Sequence, residues 1–371
     1  MKILHIINTL SAGGAELHLL TLCRRLKRQG VEVIVACLKE NVKDSRSLRA
    51  DFEKEGIGVI NFRADRRFDP RCLVALVRLL KEERPSLLHT HLPRADFAGA
   101  IGHWICPDIP WVCSIHGIYS THWSGKWSLP LFDFVWRRAD AIVAISQAAK
   151  DWLVMERRIT PERVKVIHYG IEPNRLTKEN YGPSRYWGLD GKFVIGSIGR
   201  LEPLKGFQTL IQAMPILLQE APNTSLVIAG HDPWGYGKVL DSLIEQLQLG
   251  RYVKLVGFQS DIPSFFQTLD IFAFASTSEG FGQVVIEAMA AGKPVLVSKI
   301  PPLTEIVVHG ESGLLVDPEN PKAFAKAIVW LLKNKGKTGR IARQGAKRVN
   351  EVFSAERMAQ ETTELYRTLL C

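Results

Sequence analysis

What this 371-residue sequence lacks narrows its function early. Its six cysteines are Cys23, Cys37, Cys72, Cys106, Cys113 and Cys371, and no two form a Cys-x-x-Cys pair. That scatter fits neither a disulfide framework nor a cysteine zinc site, so free thiols in a reducing compartment are expected. No unbroken run of about 18 apolar residues occurs, so no membrane-spanning helix is expected. There is no low-complexity tract and no long block of like charge, and little disorder is expected. Residues 2–7 read as a first β-strand rather than as an apolar leader with a small-residue cleavage site, so no signal peptide is expected.

What is present points to a sizeable globular protein. The hydrophobic fraction of 46% and the charged fraction of 23% are those of a folded chain, and the length suits two domains. The net charge of +10 is uneven: residues 1–180 carry 28 Lys and Arg against 20 Asp and Glu, the remainder 20 against 18. A basic first half suits an anionic partner such as a membrane surface or a phospholipid-linked acceptor, or is no more than a soluble surface. No recognised nucleic-acid-binding motif accompanies the charge, so nucleic acid is not an expected partner.

Short apolar runs alternate with longer helical patterns, the signature of parallel α/β architecture. In the first half the strand candidates are Ile3–Asn8, Val33–Leu38, Gly58–Phe62, Leu87–Thr90, Val112–His116, Ala141–Ser146 and Val164–Tyr169. In the second they are Phe193–Ile198, Ser225–Ala229, Val253–Val256, Ile271–Ala275, Pro294–Val297 and Gly313–Val316. The turn formers between Glu172 and Leu189 mark a junction, which divides the chain into residues 1–182, residues 183–353 and a terminal helical segment, 354–371. That segment either ends the second domain or crosses back onto the first. Open parallel sheets bind ligands at the carboxyl ends of their strands, so the chemistry is sought in the strand-to-helix turns.

Four turns stand out. Ser11-Ala12-Gly13-Gly14-Ala15-Glu16 follows the first strand; Gly13 and Gly14 either let backbone approach an anionic ligand or make a tight turn with none. His116, closing a strand, either reaches a sugar hydroxyl or is structural. Nearby, His89-Thr90-His91 places two imidazoles on one strand face, but without a third ligand no metal site is expected. Gly199-Arg200-Leu201-Glu202-Pro203-Leu204-Lys205-Gly206 carries two cations that either converge on a diphosphate or are solvated. The fourth turn, Glu279-Gly280-Phe281-Gly282, leads into a helix expected from Phe281 to Gly292, with Pro294 enforcing its end. Its amide-rich start favours a phosphate, while Glu279 before it and Glu287 about 9 Å along it offer carboxylates on both sides. Ribose, diphosphate and hexose in line would match that layout.

At these residues the sequence resembles the retaining glycosyltransferases of family 4, which have the GT-B fold: two Rossmann-like parallel-sheet domains facing across a cleft. The resemblance covers nearly the whole chain. It implies that Glu287 binds the ribose hydroxyls, that Arg200 and Lys205 hold the diphosphate, and that Glu279 bonds the donor hexose. It implies that the amides of Gly280, Phe281 and Gly282 line the phosphate and sugar, and that the loop at Gly13 and Gly14 closes near donor and acceptor. His116 would contact the donor sugar and support an oxocarbenium-like transition state, and Ser146–Lys150 would lie near the cleft. Asp-x-Asp, the usual metal-binding pair of the other major transferase fold, occurs nowhere in the sequence, so metal-independent transfer is expected, with no cofactor beyond the donor.

The implied activity is transfer of a hexosyl-type sugar from a nucleoside diphosphate sugar, UDP- or GDP-linked, to a glycan or lipid-linked acceptor in envelope or extracellular polysaccharide synthesis. The alternatives are a sugar-nucleotide epimerase of the same shape and a non-catalytic nucleotide-sugar-binding protein. The expected location is the cytoplasm, with a peripheral seat at the inner membrane face the variant. Trp123, Lys126, Trp127, Leu131, Phe134, Trp136, Arg137 and Arg138 would either lie on that interface or pack into the first domain.

Overall fold

The computed structural model describes residues 1–39, 47–63, 69–119, 129–176, 187–189 and 191–371. The chain forms two compact units, Met1–Ile171 with Ala355–Cys371, and Glu172–Ser354. The boundary expected at 182/183 lies outside the described residues.

The first unit is built on seven parallel strands: β1 (Lys2–Ile7), β2 (Glu32–Cys37), β3 (Gly58–Asn61), β4 (Leu87–His91), β5 (Trp111–Ile115), β6 (Ala141–Ala144) and β7 (Val164–Val166). Their order is β3-β2-β1-β4-β5-β6-β7. Helices cover both faces, so β4 and β5 are buried along their whole length, as is β1 beyond Lys2. Alternate residues of β1 serve opposite cores. Leu4 and Ile6 pack with Leu76, Leu80 and Trp111, whereas Ile3 and Ile7 pack with Leu19, Leu22 and Leu26 of helix Gly14–Arg28. On that second face the register pairs His5 with His89 and Ile7 with His91, which gathers three imidazoles on neighbouring strands.

The terminal helix, Ala355–Leu370, belongs to this first unit. Met358, Ala359 and Tyr366 are buried in the same core as helix Gly14–Arg28. Polar ties fix its register: Arg25 pairs with Glu356 at 2.9 Å, Thr363 Oγ1 donates to Gln29 Oε1 at 2.9 Å, and Tyr366 Oη lies 2.5 Å from His89 Nδ1.

The second unit repeats the plan with six parallel strands: β8 (Phe193–Ile198), β9 (Thr224–Ala229), β10 (Val253–Leu255), β11 (Ile271–Phe274), β12 (Val295–Ser298) and β13 (Leu314–Val316). The order is β10-β9-β8-β11-β12-β13. In both sheets the order reverses beside the first strand, between β1 and β4 and between β8 and β11. Such a reversal opens a crevice at the carboxyl ends of the strands, where doubly wound sheets bind ligands. Each of the thirteen expected strands is present, with ends that differ by at most a few residues.

Candidate functional site

In the second unit, the loops after β8 and β11 meet at the strand-order reversal. The first runs from Gly199 through a short 3-10 turn, Pro203–Lys205, to helix Phe207–Glu220. The second runs from Ala275 to Gly282. Thr277 N donates to Leu204 O at 2.8 Å, and Ser276 Oγ lies 2.9 Å from the same carbonyl. Gly206 makes this approach possible: its φ is +65°, and a Cβ there would stand 1.9 Å from Ala275 O. Gly230, after β9, plays the same part behind the first loop, since its Cβ would meet Gly199 O at 1.8 Å.

This packing brings Lys205 onto Glu279, with Nζ donating to Oε1 at 2.6 Å. The side chains are 15% and 9% exposed, so each charge is compensated by the other in a mostly dehydrated place. Arg200 goes elsewhere: its exposed guanidinium pairs with Glu202 at 3.3 Å and stands 5.5 Å over the Trp234 ring. The cations expected to converge on one diphosphate thus have separate carboxylate partners. Trp234, 64% exposed beside Arg200, is a candidate stacking surface that no motif had marked.

The following helix spans Gln283–Ala290, shorter than expected at both ends. Gly282, at φ +103°, delays the start, and no side chain caps it, which leaves its first-turn amides oriented for an anion. Glu287 therefore sits one turn into the helix, about 6 Å from its start at ~1.5 Å per residue. Gln283 Nε2 donates to Glu287 Oε1 at 2.9 Å. Burial pushes the Glu287 carboxyl up to about 7, against the opposing effect of that hydrogen bond. Gln283 Oε1 is buried and accepts no hydrogen bond among the described residues. Phe281 turns its side chain inward, edge-on to Phe353 at 5.8 Å, so only its backbone remains for a ligand.

In the first unit, Gly13 precedes helix Gly14–Arg28 in extended conformation. A Cβ there would stand 2.7 Å from Glu16 Oε2, so the glycine makes room for a carboxylate folded back over the turn. Gly14, the first helical residue, is exposed.

His116 lies just beyond β5, and both its ring nitrogens have partners. Nδ1 is 2.5 Å from Tyr169 Oη, and Nε2 is 3.0 Å from His91 Nδ1. His91 Nε2 continues the chain to His5 Nδ1 at 3.0 Å. His18, from helix Gly14–Arg28, stacks on Tyr169 with centroids 4.1 Å apart. Burial holds these imidazoles neutral: His5 and His116 are pushed down to about 3, and His18, His89 and His91 lie well below the usual histidine range.

The tertiary structure supplies what His89-Thr90-His91 lacked in sequence, a third imidazole from His5, with nitrogens of the three rings within 4.8 Å of one another. Hydrogen bonds account for this trio without an ion. His89 bonds Tyr366 and Ser114, His91 bonds His116 and His5, and among the described residues His5 Nε2 is the one nitrogen of the three rings without a partner.

Ser146 and Lys150 have local structural roles. Ser146 Oγ accepts from Ala149 N to cap helix Gln147–Met155, and Lys150 Nζ donates to Val164 O. Of the aromatic and basic stretch, Trp123, Lys126 and Trp127 lie outside the described residues. Trp136 is fully buried; Leu131 and Phe134 are exposed, with the Arg138 guanidinium 3.4 Å over the Phe134 ring. No helix among the described residues is long and apolar enough to cross a membrane.

Two family models divide the chain: residues 12–175 match Glycosyltransferase Family 4, and residues 186–348 match Glycosyl transferases group 1. An uncharacterized glycosyltransferase of Methanocaldococcus jannaschii is 29% identical, covering 96% of this chain and 94% of that protein. The capsular polysaccharide biosynthesis glycosyltransferase CapM of Staphylococcus aureus is 26% identical over 81% of this chain and 82% of its own. Among solved structures, Anabaena HepE in complex with UDP-glucose superposes with a TM-score of 0.87 at 28% identity, covering 99% of this chain and 100% of that one. With both sheets, their order and both family models in agreement, the chain belongs to the family 4 glycosyltransferases of GT-B fold. Similar proteins act in polysaccharide biosynthesis.

Proposed function

We propose that this glycosyltransferase moves a hexosyl sugar from a nucleoside diphosphate sugar, UDP-linked in the first instance, to a glycan or lipid-linked acceptor, with retention and without a metal. The observation that carries the reading is the junction of the β8 and β11 loops. There Lys205, Glu279, the uncapped helix start at Gly282 and the Gln283–Glu287 pair lie along one short stretch of the strand-order reversal. The likeness to HepE, described in complex with UDP-glucose, supports a uridine nucleotide.

In this reading Glu287 and Gln283 accept hydrogen bonds from ribose hydroxyls. The amides of Gly280, Phe281, Gly282 and the first helical turn hold phosphate, with Arg200 on the more exposed side. The sugar C1–O bond to the distal phosphate breaks as the acceptor oxygen bonds C1 on the same face. The acceptor's proton passes to the departing phosphate oxygen. Negative charge grows on the leaving diphosphate, and Lys205 and the helix start stabilise it in a site already oriented for it. Glu279 holds the Lys205 ammonium in place and accepts from the hexose. The family resemblance gives His116, neutral and fixed by Tyr169 and His91, a part in serving the donor sugar, and the loop at Gly13 and Gly14 a part in serving donor and acceptor. The exposed Leu131 and Phe134 with Arg138 form a small apolar and basic patch suited to an anionic lipid surface. Co-sedimentation with anionic but not neutral vesicles tests that seat.

The first test is thermal stability with UDP, GDP, ADP, CMP and NAD at matched concentration without metal. A nucleotide at about 100 times its Kd adds about 2.7 kcal/mol. A shift with one nucleoside diphosphate, lost in Glu287→Ala, supports the site; no shift with any overturns it. Transfer that survives EDTA supports the metal-free reading, and loss restored by Mg²⁺ overturns it.

A further inference from the structure

Two helices of the second unit have an unusual charge pattern. Residues 320–350 contain nine cations, from Lys322 to Arg348, and no Asp or Glu. The rest of residues 181–371 holds 11 cations against 18 carboxylates, so this positive field stands against an acidic remainder. The cations are spaced along helices Pro321–Lys333 and Lys335–Val352 rather than run together.

Between these helices and the amino end of β13 lies a groove of about 700 Å³. Its walls include Trp330, Lys337, Arg340 and Gln344, with His309 and the one carboxylate, Glu311, at the β13 side. Trp330 is 36% exposed, and the Lys337 ammonium stands 5.8 Å over its ring. Among the described residues neither Lys337 nor Arg340 has a carboxylate partner, whereas Lys333 and Lys347 in the same helices do. The groove sits at the amino ends of the strands, the opposite edge of the sheet from the Lys205–Glu279 loops.

We infer that this groove binds an acidic saccharide, one whose sugar rings carry carboxylate or phosphate. The indole offers a flat apolar wall for the C–H face of a pyranose ring. Lys337 leaves that ring face for a point charge on the sugar, and Arg340 supplies a planar fork suited to carboxylate or phosphate oxygens. Gln344 and Glu311 can bond hydroxyls. A concave site of this volume fits a few sugar residues. The choice of a saccharide rests on the glycan-acceptor reading above. The site would hold a segment of acidic acceptor or product away from the transfer chemistry, raising the local concentration of the reacting end.

The test is calorimetric titration of the full chain with an oligogalacturonate of about six residues, with maltohexaose, inorganic phosphate and anionic vesicles in parallel arms. Binding of the acidic oligosaccharide is expected to weaken tenfold or more in Lys337→Ala/Arg340→Ala, to weaken in Trp330→Ala but return in Trp330→Phe, and to fall with added salt. Stabilisation by UDP should be unchanged in all these variants, which separates failure of the groove from failure of the donor site. Equal affinity for maltohexaose, binding indifferent to the three substitutions, or retention on anionic vesicles alone would each overturn the assignment. An effect of phosphate equal to that of the oligosaccharide would overturn the saccharide and leave only an anion site.

Discussion

Lys205 Nζ lies 2.6 Å from Glu279 Oε1, joining the loop after β8 to the loop after β11 at the place where the strand order reverses. Each residue is the other's counter-charge before any donor arrives, so removing one leaves the other uncompensated and mostly buried. Lys205→Met should lower the transfer rate about 10²–10³-fold, the usual effect of losing one donor to a developing anion. Glu279→Gln should lower it too. The double variant should regain thermal stability over either single one without regaining rate. Steady-state rates and melting temperatures of the four proteins check this; full rate in Lys205→Met would remove the residue from the mechanism.

The same contact depends on a glycine. Gly206 and Gly235 share the left-handed conformation, at φ +65° and +76°, but only Gly206 has backbone where a Cβ would go. Ala at either site should cost about 1–2 kcal/mol for the dihedral alone. Gly206→Ala should cost at least about 1 kcal/mol more and lose UDP binding, because the loop must move off Ala275. Urea unfolding of the two variants compares them directly, and equal losses would mean the loops tolerate separation.

Glu287 makes both stability and binding depend on pH. Its carboxyl is raised from 4.5 to about 7 in the folded chain, so folding takes up a proton between those values. The stability it contributes is whole below about 4.5 and is lost as pH rises through 7. Glu287→Gln should flatten that part of the profile. Ribose hydroxyls donate to the ionised form, so UDP affinity of the native chain should increase from pH 6 to 8 and that of Glu287→Gln should not. Calorimetric titration across this range measures it.

The first unit responds to acid in the opposite sense. His5 and His116 are lowered from 6.5 to about 3 by burial, so unfolding takes up their protons in that interval. Their contribution is whole above 6.5 and is lost as pH falls toward 3, at about 1.4 kcal/mol per pH unit for each ring. Hydrogen exchange followed by mass spectrometry should report β1, β4 and β5 losing protection between pH 7 and 5. His5→Gln should reduce that loss. Protection independent of pH in this interval would contradict the neutral, buried cluster.

Much of the architecture was legible because buried parallel strands are short apolar runs bounded by turn formers, a signal local to each run. Ile271–Phe274 and Phe193–Ile198 announce themselves in that way, and the loops that follow them inherit their position from the strands. The helix start was misread at Phe281 because Gly282 adopts φ +103°, a choice that hydrophobic spacing does not encode. The histidine cluster was missed for a different reason: His5 and His91 are 86 residues apart, and only strand pairing makes them neighbours.

The sequence alone therefore determined the alternation of strands and helices, the division into two sheets and the turns in which chemistry is sought, all properties of near neighbours along the chain. Tertiary structure decided which charges meet. It gave Lys205 to Glu279 and Arg200 to Glu202, tied Tyr366 of the last helix to His89, and placed the cations of residues 320–350 around Trp330. Those pairings depend on sheet order and register, which bring distant segments within hydrogen-bonding reach.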